Sequence, residues 1–173
     1  MGLVCIRSLL SPSVDDIRII DARYSFEFQG GHIRGAENWQ HGEEEKFLSS
    51  FLPTTALPVA PLYSQESEDS RDILVFHCEF SSQRGPDFYR KLRARDRGLN
   101  AEVFPALYYP ECYLLHLGYK EFYDNYPDLC SGGYTAMVDE RHKMELRMMR
   151  ARSKSWAGGT VARTGTLSRW RRF

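Results

Sequence analysis

Four consecutive apolar residues, Ile73-Leu74-Val75-Phe76, run straight into His77-Cys78, and a short polar stretch then leads to Arg84-Gly85-Pro86. An apolar run without polar alternation has no face to offer to water. It therefore reads as a strand covered on both sides, the condition of a central strand in a parallel sheet. Parallel strands need crossover connections, usually helices, and the pattern around the run supplies them. Pro86 can open a helix, where its missing N–H costs nothing, and Gly98 is a natural stop for it. Upstream, Ile17-Arg18-Ile19-Ile20-Asp21 reads as a second buried strand. Residues 43–52 read as a helix with acids in its first turn, an apolar stripe of Phe47, Leu48, Phe51 and Leu52, and Pro53 as its end. Tyr113-Leu114-Leu115 predicts a further short strand, residues 118–126 a helix ended by Pro127, and residues 139–155 a basic amphipathic helix. Residues 30–35 and 53–72 read as loops, the latter a long surface loop rich in proline and acidic residues. The fold class is α/β, with a mostly parallel central sheet flanked by helices and a ligand site at the strand C-termini.

The length of 173 residues suits one domain with a sufficient core of its own. A net charge of zero, taken alone, argues against nucleic acid or an anionic membrane as a partner. It is, however, a cancellation. Residues 141–173 carry ten basic residues against Glu145 alone, formally +9, and the first 140 residues carry 13 basic and 22 acidic residues, formally −9. The cysteines Cys5, Cys78, Cys112 and Cys130 are scattered, with no CxxC and no Cys/His cluster at zinc spacing. They read as reduced thiols, and neither a metal nor a cofactor is expected. No apolar run is long enough for a membrane span, and Ile6 stands where a myristoylation motif wants Ser or Thr after Gly2.

The segment His77-Cys78-Glu79-Phe80-Ser81-Ser82-Gln83-Arg84 places a cysteine six residues before an arginine, between a strand end and a helix start. The spacing alone is cheap, since chance gives roughly 0.4 such pairs in a chain of this composition. Its position gives it meaning. Such a loop can turn successive backbone N–H groups inward as an anion nest, reinforced by the helix dipole. The same field stabilises a thiolate, which makes Cys78 a nucleophile. Arg84 can grip two phosphate oxygens with its planar fork. Together these predict in-line attack by Cys78 on phosphorus, followed by hydrolysis of the phosphocysteine by water. His77 is either a hydrogen-bonded structural residue at the strand end or a proton carrier.

This block closely resembles the active-site loop of the M-phase inducer phosphatases, dual-specificity enzymes that dephosphorylate threonine and tyrosine on cyclin-dependent kinases. The stretch Asp21-Ala22-Arg23-Tyr24-Ser25-Phe26-Glu27-Phe28-Gln29-Gly30-Gly31-His32-Ile33-Arg34-Gly35-Ala36-Glu37-Asn38 is similar to their second motif, which they share with the rhodanese fold. Tyr109-Pro110-Glu111, Leu117-Gly118-Tyr119-Lys120-Glu121-Phe122 and Lys154-Ser155-Trp156-Ala157-Gly158 resemble their later segments. The resemblance implies a rhodanese-like domain over residues 17–158, preceded by a short segment (1–16) and followed by a basic tail (159–173). It implies Cys78 as nucleophile, Arg84 as phosphate-binding arginine, and Glu79, Phe80, Ser81, Ser82 and Gln83 as the phosphate loop. Glu79 is a proton donor by this resemblance, or else an acid turned to solvent or paired with a base. Asp21 pairs with an arginine such as Arg23, or takes part in catalysis. Arg93 and Arg97, four apart on the helix, form a kinase docking surface or a solvated face. The implied partner is a phosphorylated cyclin-dependent kinase with its cyclin, with no nucleic acid or membrane, and the chain is expected to be a monomer of nucleus and cytoplasm.

Three positions depart from the family pattern. Ala22 stands where the family carries a second cysteine able to form a disulfide with the nucleophile, so no such disulfide is expected. Gln83 stands where vertebrate members have Glu. Only sixteen residues precede the first strand, whereas the family's catalytic domain begins earlier, so a truncated N-terminal part is expected. Two other readings compete with the phosphatase. One is a rhodanese-type sulfurtransferase, whose loop is one residue shorter. The other is a catalytically impaired module that only docks a phosphoprotein.

Overall fold

A computed structural model describes residues 16–55 and 72–157 of the chain. The apolar run is the third strand of a four-stranded parallel sheet of order β3-β1-β4-β5. Strand β4 (Asp72–His77) lies between β1 (Asp16–Asp21) and β5 (Glu111–Leu114), and the two-residue β3 (Glu37–Asn38) adds to the outer edge of β1. Every residue from Ile73 to His77 is buried, as a strand covered on both faces must be. β1 and β4 run in register over their whole length, so that Asp21 and His77 end side by side.

The alternation of side chains along the strands divides the core into two layers. On one face Ile20, Leu74 and Phe76 pack against Phe47 and Phe51 of helix α2 (Glu44–Phe51) and Phe88 and Leu92 of helix α3 (Arg84–Leu99). On the other, Ile19 joins Ile33, Cys130 and the Tyr119 and Phe122 side chains of helix α4 (Gly118–Asn125). A mostly parallel sheet flanked by helices is therefore what the pattern predicts and what forms. A third cluster docks helix α5 (Lys143–Ala157), through Leu146, onto Tyr24 and Phe26, the latter on the short helix α1 (Ser25–Gly30).

Several boundaries differ from the sequence reading, for physical reasons. Residues 31–33 are not loop but strand β2 (Gly31–Ile33), antiparallel to β6 (Cys130–Gly132). Neither short strand carries a local signal, because each exists through a partner about a hundred residues away. Gly31 is required there: a Cβ would sit 1.8 Å from the Gly133 carbonyl oxygen. Helix α3 begins at Arg84, and Pro86 occupies its third position, where an N–H still has no helical acceptor. The strand expected at residues 113–115 is shifted to 111–114, and the basic helix is entered through a 3₁₀ turn, Glu140–His142, capped by the Asp139 carboxylate on the Arg141 N–H. Asp72 begins β4 rather than ending the long loop. Residues 56–71 of that loop, the N-terminal segment with Gly2 and Cys5, and the 159–173 tail lie outside the described residues.

Where β1 and β4 end, Asp21, Arg23 and His77 are completely buried. The Asp21 carboxylate accepts from Arg23 Nε (3.0 and 3.1 Å), Nη2 (2.6 Å) and backbone N–H (3.0 Å), the ion pair the motif predicts. Arg23 also donates to Gly31 O (2.8 Å), and its guanidinium lies 3.8 Å above the Tyr119 ring. Burial would push the Asp21 carboxyl up, but His77, Arg23 and the hydrogen bonds from Arg23 outweigh it and hold it below the usual range. Burial pushes the His77 imidazole down from 6.5, and the attraction of Asp21 only partly offsets this. The folded protein thus binds fewer protons at His77 than the unfolded chain does. The stability this gives is complete above pH 6.5 and is lost as pH falls toward the folded value. The midpoint of thermal unfolding should accordingly be lower at pH 5.5 than at pH 7.5. A midpoint that stays constant or rises on acidification in this window would contradict it.

Candidate active site

The loop between β4 and α3 is built by its two ends. Cys78 follows the last residue of the central strand and is 3% exposed. At the other end, Gly85 brings the first turn of α3 against the strand: a Cβ there would lie 2.9 Å from the His77 carbonyl carbon. Between them Ser81 adopts a left-handed φ of +51° that reverses the chain. The loop is gripped from behind, where Cys78 O accepts from Tyr119 N–H (2.9 Å) and Glu79 O from Lys120 N–H (3.1 Å), both in the first turn of α4. This contact needs Gly118, with φ +71° and room for no Cβ, which would fall 2.5 Å from both carbonyl oxygens. With the carbonyls turned outward, the backbone N–H groups of residues 79–83 have no acceptor among the described residues. Five uncommitted donors at a helix start form an anion nest.

The loop borders a cavity of about 240 Å³ lined by Tyr24, Cys78, Glu79, Phe80, Ser82, Gln83, Arg84, Met137 and Arg150. Of the residues singled out in sequence, Cys78, Glu79, Phe80, Ser82, Gln83 and Arg84 thus share one cavity, and Ser81 supports it from within the loop. Phe80 is 55% exposed at the rim, an apolar surface beside the nest. No group of His, Cys, Asp and Glu able to hold a metal occurs among the described residues.

Arg84 is held by Glu27, a residue to which the sequence assigned no role. The Glu27 carboxylate, wholly buried, takes Arg84 Nη1 and Nη2 in a fork-to-fork pair, the Nη2–Oε1 contact at 3.0 Å, and also accepts the Tyr24 N–H (3.0 Å). The Tyr24 ring lies 5.1 Å from the guanidinium carbon. Glu27 and Arg84 are 57 residues apart, so no local pattern joins them. The available signal was an acid between Phe26 and Phe28 on a short helix. Met137 was missed in the same way, and Arg150, read in the sequence only as one of the basic residues of 141–173, is delivered to the cavity by the same C-terminal arm.

Three expectations are corrected or resolved. Glu79 is not turned to solvent: it is 4% exposed, its Oε1 accepts from Tyr134 O–H (2.5 Å) and Met137 N–H (3.3 Å), and its Oε2 lies 3.8 Å from Arg84 Nη2. His77 does not line the cavity. Its Nδ1 is 3.4 Å from Cys78 O and its Nε2 3.7 Å from Asp21, which leaves it the structural role. Arg93 is neither a docking residue nor part of a solvated face. Its guanidinium donates inward to Tyr109 O (2.7 Å) and Pro110 O (3.3 Å) and pairs with buried Asp96 at 3.6 Å, while Arg97, one turn on, is exposed. The loop before β5 leaves carbonyls without strand partners, and Arg93 is the donor that satisfies them.

Comparison with known proteins agrees with this geometry. Residues 8–125 match the Rhodanese-like domain family. The M-phase inducer phosphatase of Drosophila melanogaster is 45% identical over 163 residues, covering 93% of this chain and 34% of that protein. The Cdc25-like protein phosphatase twine of the same organism is 44% identical over 149 residues, 85% of this chain and 32% of that protein. Human M-phase inducer phosphatase 2 is 46% identical over 146 residues, 84% of this chain and 23% of that protein. The chain therefore spans about a third or less of the length of these relatives. It belongs to the rhodanese-like domain family, and its relatives there are M-phase inducer phosphatases.

Proposed function

We propose that this domain hydrolyses the phosphate monoesters of phosphothreonine and phosphotyrosine on a cyclin-dependent kinase bound to its cyclin, and so promotes cell-cycle progression. The observation that carries the reading is the juxtaposition of the Cys78 thiol and an arginine clamped by a buried carboxylate in one cavity, bordered by a loop whose N–H groups have no acceptor among the described residues. A tetrahedral dianion offers three equatorial oxygens to these donors while its phosphorus faces the sulfur. Cys78 Sγ attacks in line, forming the S–P bond as the P–O bond to the side chain breaks. Water then cleaves the S–P bond, returning the thiolate and releasing inorganic phosphate. Clamping Arg84 removes the rotamer freedom that a phosphate would otherwise have to freeze out. The exposed Phe80 and the open rim suit a phosphorylated side chain on a protein surface. The relatives, named as phosphatases, support the same chemistry.

The test is phosphate release from a phosphotyrosine peptide and a doubly phosphorylated Thr-Tyr peptide. Cys78→Ser should lower kcat/KM at least about a thousandfold, or about 4 kcal/mol of transition-state stabilisation. Folded wild-type protein that releases phosphate from neither peptide refutes the proposal. Sulfur transfer from thiosulfate under the same conditions would instead establish the sulfurtransferase.

Ala22 lies beside the nucleophile, its N–H bonded to His77 O (2.8 Å), and brings no thiol to it. Cys112 stands opposite Leu74, four residues back along β4, about 13 Å from Cys78 at strand rise. Cys130 lies in the other sheet. With no partner thiol beside Cys78 among the described residues, peroxide should carry it through the sulfenic to the sulfinic acid, seen by mass spectrometry. A disulfide between Cys78 and another cysteine of the chain is the opposing result.

Long-range attraction to an acidic kinase surface falls to the basic C-terminal region, since the body carries the opposite charge. Deleting residues 159–173 should slow dephosphorylation of the protein substrate at least about fivefold at low salt and leave a small aryl phosphate untouched. Equal rates on both substrates would refute docking by the tail.

A further inference from the structure

Two carboxylates approach the Arg84 guanidinium. Glu27 forms the fork-to-fork pair, and Glu79 Oε2 stands 3.8 Å from the same Nη2 that Glu27 already engages. Arg84, Glu27 and Glu79 are together net negative, and if both carboxylates closed to hydrogen-bond distance little of the guanidinium would be left for a dianion. The geometry shows what holds the second carboxylate off. Glu79 Oε1 accepts from the Tyr134 hydroxyl at 2.5 Å and from Met137 N–H at 3.3 Å, both on the segment that leads into α5. Tyr134 is itself fixed, with Lys120 Nζ 5.4 Å above its ring and the Tyr119 ring stacked at 6.4 Å. Burial and the Glu79 carboxylate push the Tyr134 hydroxyl up, so it remains a donor at any physiological pH.

We infer that Tyr134 is a positioning residue for anion binding: its hydroxyl tethers Glu79 to the C-terminal arm and keeps that carboxylate from competing with phosphate for Arg84. The inference rests on the phosphatase reading for its substrate, but not for its physics, because any tetrahedral oxyanion meets the same competition. It also gives Glu79 a task other than proton donation, namely fastening the arm that carries Met137 and Arg150 to the rim of the loop.

Tungstate is the probe, titrated calorimetrically against the full chain alongside hydrolysis of p-nitrophenyl phosphate. In Tyr134→Phe the Glu79 carboxylate keeps only the longer bond from Met137 N–H and moves closer to Arg84. Tungstate Kd and KM should both rise about tenfold, with kcat within about twofold. In a Glu79→Gln background, where no charge remains to be held off, Tyr134→Phe should change Kd less than about twofold. Glu79→Gln alone should bind tungstate at least as tightly as wild type, which keeps a test available if Tyr134→Phe does not fold. An unchanged Kd in folded Tyr134→Phe, an equal loss in both backgrounds, or weaker binding in Glu79→Gln would each overturn the inference. Tungstate binding without phosphate release would refute the phosphatase reading and leave the Kd comparison to decide this one.

Discussion

The ion pair between Asp21 and Arg23 is the constraint on which the rest of the architecture depends. Both groups are wholly buried, and an ionic group in that position is tolerated only if it is paired and hydrogen-bonded, which here leaves Arg23 Nη1 alone of the pair's side-chain atoms without a partner among the described residues. Asp21 takes four contacts from Arg23, and Arg23 reaches on to Gly31 O and lies on Tyr119. One salt bridge thus joins the end of β1, the start of the small antiparallel sheet and the first turn of α4. The same Tyr119 whose ring receives Arg23 gives its N–H to Cys78 O. The active loop is therefore referenced to the parallel sheet by two routes, one through β4 and one through this pair and α4.

Local pattern revealed what local physics determines. The apolar run of β4, the acid-led helix α2 and the stop at Pro127 are legible because burial, helix dipole and proline geometry act within a few residues. Cys78 and Arg84 are legible because a loop of six must bring a strand end and a helix start together. Glu27 and Tyr134 were not legible, since each matters only through a partner more than fifty residues away in sequence. Arg93 shows the opposite failure. Its spacing from Arg97 suggests a shared face, but the chain before β5 bends over it and turns its charge to the task of satisfying carbonyls.

Electrostatically, the cavity sets Arg84 and Arg150 against Glu27 and Glu79, and what it offers an anion depends on restraint as much as on cations. Glu27 fixes Arg84 at the expense of its full charge, Glu79 is tethered elsewhere, and the loop amides supply potential without a counter-ion. A site of this construction is sensitive to small displacements of neutral groups: a phenol, a glycine and a peptide N–H determine how much of one arginine an anion can use.

Because Gly118 lets α4 grip the loop by its carbonyls, the dipoles that would have to rotate toward an arriving anion have already been turned. Helix α4 cannot release them without leaving its place on Arg23 and the sheet. The reorganisation energy of the peptide groups is met during folding and not in each turnover. A binding surface fixed in advance in this way has little capacity to adapt its shape, so differences among oxyanions must be read through size and charge density, and any finer discrimination must come from surfaces outside the loop.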